Sequence, residues 1–377
     1  MDRDLRPFVP VHEGGSRVAA GCMTGTSIDA LDVVWIEATG FGLDLRAKVV
    51  DYRRRDLGPL REPLRSLCRQ EPATAPAIAR LARDLGALHA DVIAPEDRSG
   101  APPHPDLIVV HGQTVAHDGE ASWALFDPRP LIARVDSTVV TDLRLVDQAC
   151  DGEGAPITPL ADWIFLRGPE PRCVVNLGGF CNVTFLPAED EPHSHVEGRD
   201  VGPCNQLLDE AARRFLGEPF DVDGAAAAGG QVHGDVAASL VRGLIAIGGR
   251  GRSLGTGDEG FHLLDALEVL PPGDALATLS TAVALSIARG LVGRGRVLLF
   301  GGGARNLALV DNLRGAVPDQ PVQIGDDGAS GLTPESREGA AMAVLGLLAA
   351  DGVAVTLPAV TGRGETLHLD GRWILPR

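Results

Sequence analysis

Val18-Ala-Ala-Gly-Cys-Met-Thr-Gly-Thr-Ser-Ile-Asp-Ala-Leu-Asp-Val-Val-Trp-Ile36 reads as strand, tight loop and strand. An apolar run enters, Met23-Thr24-Gly25-Thr26-Ser27 turns, and Asp32 leads into the β-branched run that ends at Ile36. Glycine in the turn lets backbone N–H groups converge, and Thr24, Thr26 and Ser27 add hydroxyl donors, a lining suited to a phosphate or another anion. Asp29 and Asp32 fit beside a phosphate only with a divalent cation or a hydroxyl nucleophile between them. Taken alone, the stretch reads equally as an ordinary hairpin with a polar turn.

A second stretch repeats the plan. Cys173-Val-Val-Asn-Leu-Gly-Gly-Phe-Cys-Asn-Val-Thr-Phe-Leu186 is an apolar strand, a Gly178-Gly179 turn and a strand carrying Asn182 and Thr184. A third glycine turn, Gly301-Gly302-Gly303, follows the apolar run 297–300 and precedes an expected helix over 306–313. Two hairpins with phosphate-suited turns, then a glycine turn after a late strand, describe a nucleotide clamped between two similar domains.

Composition narrows the chemistry. The chain has 377 residues and a formal net charge of −17, which argues against a nucleic-acid or anionic-membrane surface. Lys48 is the single lysine and stands in no P-loop or protein-kinase motif, so phosphate handling falls to backbone, hydroxyls, arginine and metal. The six cysteines are scattered without a C-x-x-C, which indicates neither a zinc site nor a disulfide framework. The N-terminus lacks a signal-peptide core and no apolar run reaches membrane-spanning length, so a soluble cytoplasmic protein is expected.

Between the hairpins the pattern predicts a strand over 43–51, helices over 56–69 and 73–93, a buried strand over 106–110 and a short one over 139–143. The 106–110 strand runs into His111-Gly112-Gln113-Thr114, and polar residues at the carboxyl end of an α/β strand are placed to meet a ligand. Arg144 and Asp147 follow the next strand. Residues 151–159, with Glu153, open a helix over 160–166, either as a ligand loop or as a loop with an acidic cap. After the second hairpin come a polar insertion at 187–197 and a Gly-Pro turn over 198–205, capped by Asn205 and leading into a helix over 206–216. Asp200 precedes that turn, as a turn former or as a general base. Further helices are expected over 235–247, 276–292 and 335–348, the last with Glu338 near its start, and loops over 248–260 and 357–363.

In this order the pieces resemble the anhydro-N-acetylmuramic acid kinases, of the superfamily of sugar kinases, actin and the large heat-shock chaperones. The resemblance rests on residues 23–32, His111 to Val115, Gly154-Ala-Pro156 with Pro159, Asn176 to Gly179 with Asn182 and Thr184, and Asp200 to Asn205. Phe220-Asp221 with Gly224, Gly301 to Asn306, Glu338, and Leu357 to Gly362 complete it. It implies an α/β, two-lobed, actin-like ATPase (ribonuclease H-like) fold with an interlobe active-site cleft. The lobes are expected at 1–142 and 143–344, with 345–377 returning to the first. The implied reaction uses ATP, magnesium and water to convert 1,6-anhydro-N-acetylmuramic acid into N-acetylmuramic acid 6-phosphate, and the implied assembly is a homodimer.

Carried over residue by residue, the resemblance implies an ATP phosphate loop of Gly25, Thr26, Ser27, Ile28, Asp29, Ala30, Leu31 and Asp32, with Asp29 holding the metal. Asn176, Gly178, Gly179 and Asn182 would form the second loop, and Gly301, Gly302, Gly303 and Asn306 would approach the adenosine side. Asp200 would be the general base, with His111, Gln113, Arg144, Glu153, Asn205 and Glu338 toward the substrate. The chain departs from the family pattern at Ala30, Asp151, Glu153, Val201 and Cys204. Ala30 asks a tight turn to accept a Cβ, which requires a negative φ, and Glu153 puts a charge where an amide is expected. Two other readings stand beside this one: a kinase of another 1,6-anhydro-sugar such as levoglucosan, and an ATP-binding homologue that has lost catalysis.

Overall fold

In the computed structural model Ser16–Thr24 (β1) and Ala30–Thr39 (β2) pair antiparallel, with Thr24 opposite Leu31 and Met23 opposite Asp32. The structure describes residues 9–25, 27–95, 100–117, 121–249, 254, 257–326, 328, 330–365 and 368–376. The expectations for Thr26, and for residues 250–253, Gly255 and Thr256 of the later loop, lie outside these. Apolar residues on both faces of β1 and β2 are buried, as a central strand pair requires.

Arg46–Asp56 (β3) adds antiparallel to β2, while Leu107–Val110 (β4) adds parallel to β1. Gln113–His117 (β5) and Ser122–Leu125 (β6) form a separate ribbon, and Thr138–Thr141 (β7) lies parallel to β4. The first sheet therefore runs β7-β4-β1-β2-β3.

The second sheet is built from Arg172–Leu177 (β8), Phe180–Leu186 (β9), Glu197–Pro203 (β10), Arg296–Phe300 (β11) and Val322–Ile324 (β12). Its order, β10-β9-β8-β11-β12, repeats the first with the same senses: two antiparallel pairs on one side of the founding strand, two parallel pairs on the other. A last strand, Arg372–Ile374 (β13), extends the first sheet antiparallel to β7.

The helices are Arg61–Cys68 (α1), Ala75–Ile93 (α2), Arg129–Ile132 (α3), Leu145–Ala149 (α4), Pro159–Leu166 (α5) and Asn205–Leu216 (α6). They continue with Ala225–Gly229 (α7), Gly234–Gly248 (α8), Pro272–Ala288 (α9), Leu307–Ala316 (α10), Arg337–Ala350 (α11) and Pro358–Thr361 (α12). Helices α1 and α2 bury Leu64, Leu67 and Leu85 in one core with Leu31, Val33 and Trp35. Every residue of α11 except Glu338 is buried, and it lies so close to β1 that a Cβ on Gly21 would stand 2.0 Å from the Gly339 carbonyl oxygen. In the other core, α6, α8, α9 and α10 cover the second sheet. Among the described residues no helix is long and apolar enough to cross a membrane.

The chain divides into two units, one of Met1–Leu166, Asp327–Leu332 and Ser336–Arg377, the other of Arg167–Asp326 and Thr333–Glu335. The expected boundary at 142/143 thus falls inside the first unit, and the chain returns to that unit ahead of 345, over Asp327–Leu332 and again from Ser336. Helix α5 packs on β3 and α11 of the first unit, and a buried ion pair reinforces the contact with α11. Arg337 on α11 donates from Nε to Asp162 Oδ1 at 2.8 Å and from its terminal nitrogen to Thr158 at 3.2 Å, which ties α5 to the first unit.

Three local expectations are corrected. Residues 197–203 form the edge strand β10 instead of a Gly-Pro turn, since Pro203 sits at the end of an edge strand where its missing N–H costs no ladder bond. Asn205 is the first residue of α6, not its cap, and its side-chain amide donates to Leu177 O at 2.9 Å. Helix α9 starts and ends four residues earlier than expected, because Pro272 suits the first helical turn and Gly290 follows its end.

Candidate functional site

The turn after β1 is closed by Ile28 N–H donating to Gly25 O at 3.1 Å. Gly25 has no left-handed φ, and a Cβ on it would meet nothing nearer than Ser27 Oγ at 4.0 Å. Neither backbone nor packing demands glycine there, so the space is what the residue provides. Ile28 carries the strain, with φ +52° on a β-branched residue whose side chain is buried in the core. Ala30 and Leu31 are in β2 with buried side chains, so like Ile28 they offer a ligand their backbone alone, and Ala30 is not among the positive-φ residues. Thr24 Oγ1 donates to Gly112 O at 3.2 Å, joining this turn to the segment after β4.

Asp29 and Asp32 are both held by cations. Arg65 of α1 donates to Asp29 Oδ1 at 2.9 Å and to Ser27 O at 3.1 Å, and Arg61 Nε lies 3.9 Å from the same carboxylate. Asp32 accepts from the Tyr52 hydroxyl at 2.6 Å and lies 4.0 Å from Arg54. Burial, then the bond to Asp32, pushes the Tyr52 phenol well above its ordinary range. The sequence reading did not single out Tyr52, Arg54, Arg61 or Arg65. The signals were the arginine run at 53–55 and the i,i+4 spacing of Arg61 and Arg65.

Of the substrate candidates in this unit, His111 and Arg144 are brought together. Arg144 Nε donates to His111 Nε2 at 3.2 Å, and His111 Nδ1 is 3.0 Å from Gly112 O, which fixes the Nδ1–H tautomer. Burial first, then the Arg144 charge, lowers the imidazole to about 3, so the ring is neutral. The pair lines a recess with Thr114, Asp142, Gln148 and Arg372. Gln113 is buried outside this lining, and its Oε1 has no hydrogen-bond partner among the described residues. Glu153 donates its backbone N–H to Thr361 O at 2.9 Å in a loop organised by Asp147. Asp147, fully buried, accepts from Gly154 N at 2.6 Å, from Thr361 Oγ1 at 2.7 Å and from Thr356 Oγ1. No spacing in the sequence marks Asp147 for that role. Glu338 is the one half-buried residue of α11.

In the second unit three polar residues form a lateral row. Asn176 on β8 is opposite Asn182 on β9, and Asn182 is opposite Asp200 on β10, so the three share a face of the sheet. The register slips between Asp200 and Gly202, a bulge that bends the edge strand beside Asp200. Asp200 Oδ2 accepts from Leu254 N at 2.7 Å. The row lies one pair back from the hairpin turn, and the matching pair in the first unit is Met23 with Asp32, continued by Arg54.

The glycine turns of this unit meet at the same end of the sheet. Asn205 N donates to Gly178 O at 3.0 Å and Cys204 N to Gly179 O at 2.9 Å, docking the hairpin turn on the start of α6. Gly301 has φ +83°, and a Cβ there would stand 2.6 Å from Asn176 Oδ1. Gly303 is crowded by Asn205, at 2.7 Å, whereas Gly302 is open to 3.8 Å. Asn306 caps α10 by accepting from Leu309 N at 3.0 Å. Cys181 and Cys204 are buried beside the row, and burial pushes the Cys204 thiol up to about 12, which makes it inert.

Each unit thus has a turn glycine with open space beside it, Gly25 in the first and Gly302 in the second. The metal candidate fits less well. Asp29 faces two arginines, and among the described residues no group of three or more His, Cys, Asp or Glu could hold a metal ion.

Two sheets that share one five-strand order, each opened by a glycine-turn hairpin, define a duplicated α/β protein. The chain belongs to the anhydro-N-acetylmuramic acid kinase family, whose sequence profile matches residues 17–373. The anhydro-N-acetylmuramic acid kinase of Salinibacter ruber is 31% identical, covering 94% of this chain and 96% of its own. That of Streptomyces coelicolor is 34% identical, covering 91% and 90%. Among solved structures, component A of the Acidaminococcus fermentans (R)-2-hydroxyglutaryl-CoA dehydratase covers 89% of this chain and 99% of its own, at 13% identity and a TM-score of 0.44. A ROK family glucokinase from Streptomyces griseus gives 13% identity and a TM-score of 0.38, covering 87% and 99%. Family membership supports an anhydro-sugar kinase activity in general terms.

Proposed function

We propose that the chain phosphorylates 1,6-anhydro-N-acetylmuramic acid at O6 while water opens the anhydro bridge, giving N-acetylmuramic acid 6-phosphate. The observation that carries this reading is the row Asn176–Asn182–Asp200, with a carboxylate oriented by Leu254 N beside a glycine-turn hairpin. The repeated strand order supports the actin-like ATPase (ribonuclease H-like) fold.

ATP, when bound, supplies the phosphoryl group that O6 takes. Asp200 accepts the proton of the water whose oxygen attacks the anomeric carbon, and the bond from that carbon to O6 breaks. Asn182, directly opposite, offers an amide on the same face to orient the water or a sugar hydroxyl. Backbone around Gly25 and Ser27, Gly178 and Gly179, and Gly301 to Gly303 receives the nucleotide, with Asn306 on the adenosine side. Magnesium would enter on the nucleotide's own phosphates and its waters, with Asp29, already paired to arginine, reaching it through water. His111 and Arg144 act as a neutral ring and a cation held by one hydrogen bond, suited to an anionic or hydroxyl-rich sugar substituent. Six free cysteines suit the reducing cytoplasm.

The test is ADP release with saturating MgATP over a panel of anhydro and free sugars. Turnover of the muramic compound supports the reading. Turnover of levoglucosan alone would move the substrate, and nucleotide binding without sugar-dependent ADP release would leave a non-catalytic homologue.

A further inference from the structure

The geometry points to Arg65 as a positioning residue for nucleotide phosphates, acting through the backbone of Ile28; this rests on reading the Gly25 turn as a phosphate loop. Ile28 holds φ +52°, which a β-branched residue adopts only where its surroundings impose it. The peptide between Ser27 and Ile28 is planar, with its carbonyl and its N–H pointing in opposite directions. Both ends of that one peptide are held: the N–H by Gly25 O at 3.1 Å, the carbonyl by Arg65 at 3.1 Å.

The same Arg65 nitrogen also reaches Asp29 Oδ1 at 2.9 Å, so it spans the strained residue from one side to the other. Beyond Ile28 the backbone is fixed again, because Asp29 O accepts from Leu57 N at 3.1 Å and from Arg61 at 3.3 Å. Ile28 itself is anchored by its buried side chain. With the Ser27–Ile28 peptide set in this way, the described part of the turn holds one shape before an anion arrives, which removes an ordering cost from binding. Arg65 thus does for this loop, by holding its shape, part of what a lysine does elsewhere by touching phosphate; the chain's single lysine, Lys48, is paired with Glu37 at 2.8 Å.

Calorimetric titration of the full chain with MgATP tests this, using the unsubstituted protein, Arg65→Ala, Arg65→Lys, Ile28→Gly and the Ile28→Gly/Arg65→Ala pair. Arg65→Ala is expected to weaken MgATP binding by about tenfold, with Arg65→Lys recovering most of it. Glycine at position 28 adopts the positive φ freely, so in that background removal of Arg65 costs under about threefold. An Arg65→Ala affinity within about twofold of the unsubstituted protein overturns the proposal alone. Equal losses in both backgrounds also overturn it, since they mean direct phosphate contact. No MgATP binding by the unsubstituted chain overturns both this proposal and the functional reading beneath it.

Discussion

Asn182 and Asp200 stand directly opposite one another on neighbouring strands, one residue ahead of the bulge that bends β10. The bulge skips Val201, and pairing with β9 resumes at Gly202 opposite Cys181 before the chain turns to α6. The place of Asp200 is set by a ladder and by Leu254 N, not by a mobile turn. Asp200→Asn keeps the shape and the hydrogen bond and removes the proton acceptor. Turnover is expected to fall by about 10²–10⁴-fold while MgATP affinity stays within about twofold, measured by coupled ADP release and calorimetry. Near-normal turnover would remove Asp200 from the base role.

Two glycines separate binding from folding. At Gly301 the φ of +83° and a Cβ only 2.6 Å from Asn176 Oδ1 make Gly301→Ala destabilising, by about 1–3 kcal/mol in chemical denaturation. At Gly25 the site is open to 4.0 Å, so Gly25→Val changes stability little while obstructing phosphate. A loss of MgATP affinity at unchanged melting temperature is the expected signature; unchanged affinity would speak against the loop assignment.

The Asp162–Arg337 pair is buried on both sides and holds α5 against α11. Removing one partner leaves a charge without its counterpart. Arg337→Met is therefore expected to cost about 3–5 kcal/mol, read from urea unfolding, and the double change to Asp162→Leu/Arg337→Met to recover much of it. A single variant as stable as the unsubstituted protein would show that the pair does not secure this segment.

Acid sensitivity has two identifiable sources. Burial lowers His89 from 6.5 to about 4, and burial with Arg144 lowers His111 to about 3. Below pH 6.5 the unfolded chain takes up protons that these folded imidazoles refuse, so stability falls as the pH drops, down to each folded value. Each contributes a slope of up to about 1.4 kcal/mol per pH unit in that window. His89→Leu should flatten the pH dependence of unfolding between pH 6 and pH 4.5, roughly the middle of the window, by its share. An unchanged profile would mean that His89 is already charged in the folded protein.

Much of the architecture could be read directly. The two hairpins, the glycine turn after the late strand and the helix that follows it come from apolar runs meeting glycine, all local signals, whereas Asn306 proves to be that helix's cap and not its first residue. Residues 198–205 show the limit of such signals: glycine and proline mark a turn locally, but pairing with β9 and an edge position make 197–203 a strand. Asp147, Arg61 and Arg65 carried no legible signal of their partners. Asp147 bonds residues 209 and 214 positions away, and Arg65 one 36 positions away, separations that no window of sequence spans.

The order of residues alone settled many of the local pieces, the two glycine-turn hairpins above all, and the family the chain belongs to. Pairing decided the rest. Only the ladders put Asn176, Asn182 and Asp200 in one row, only α1 folding back placed Arg65 across Ile28, and only long-range packing, with the buried Asp162–Arg337 pair in it, assigned α5 to the first unit. The physical reason is that periodicity and turn chemistry act between near neighbours, whereas register and buried charge pairing are set by which distant surfaces exclude water together.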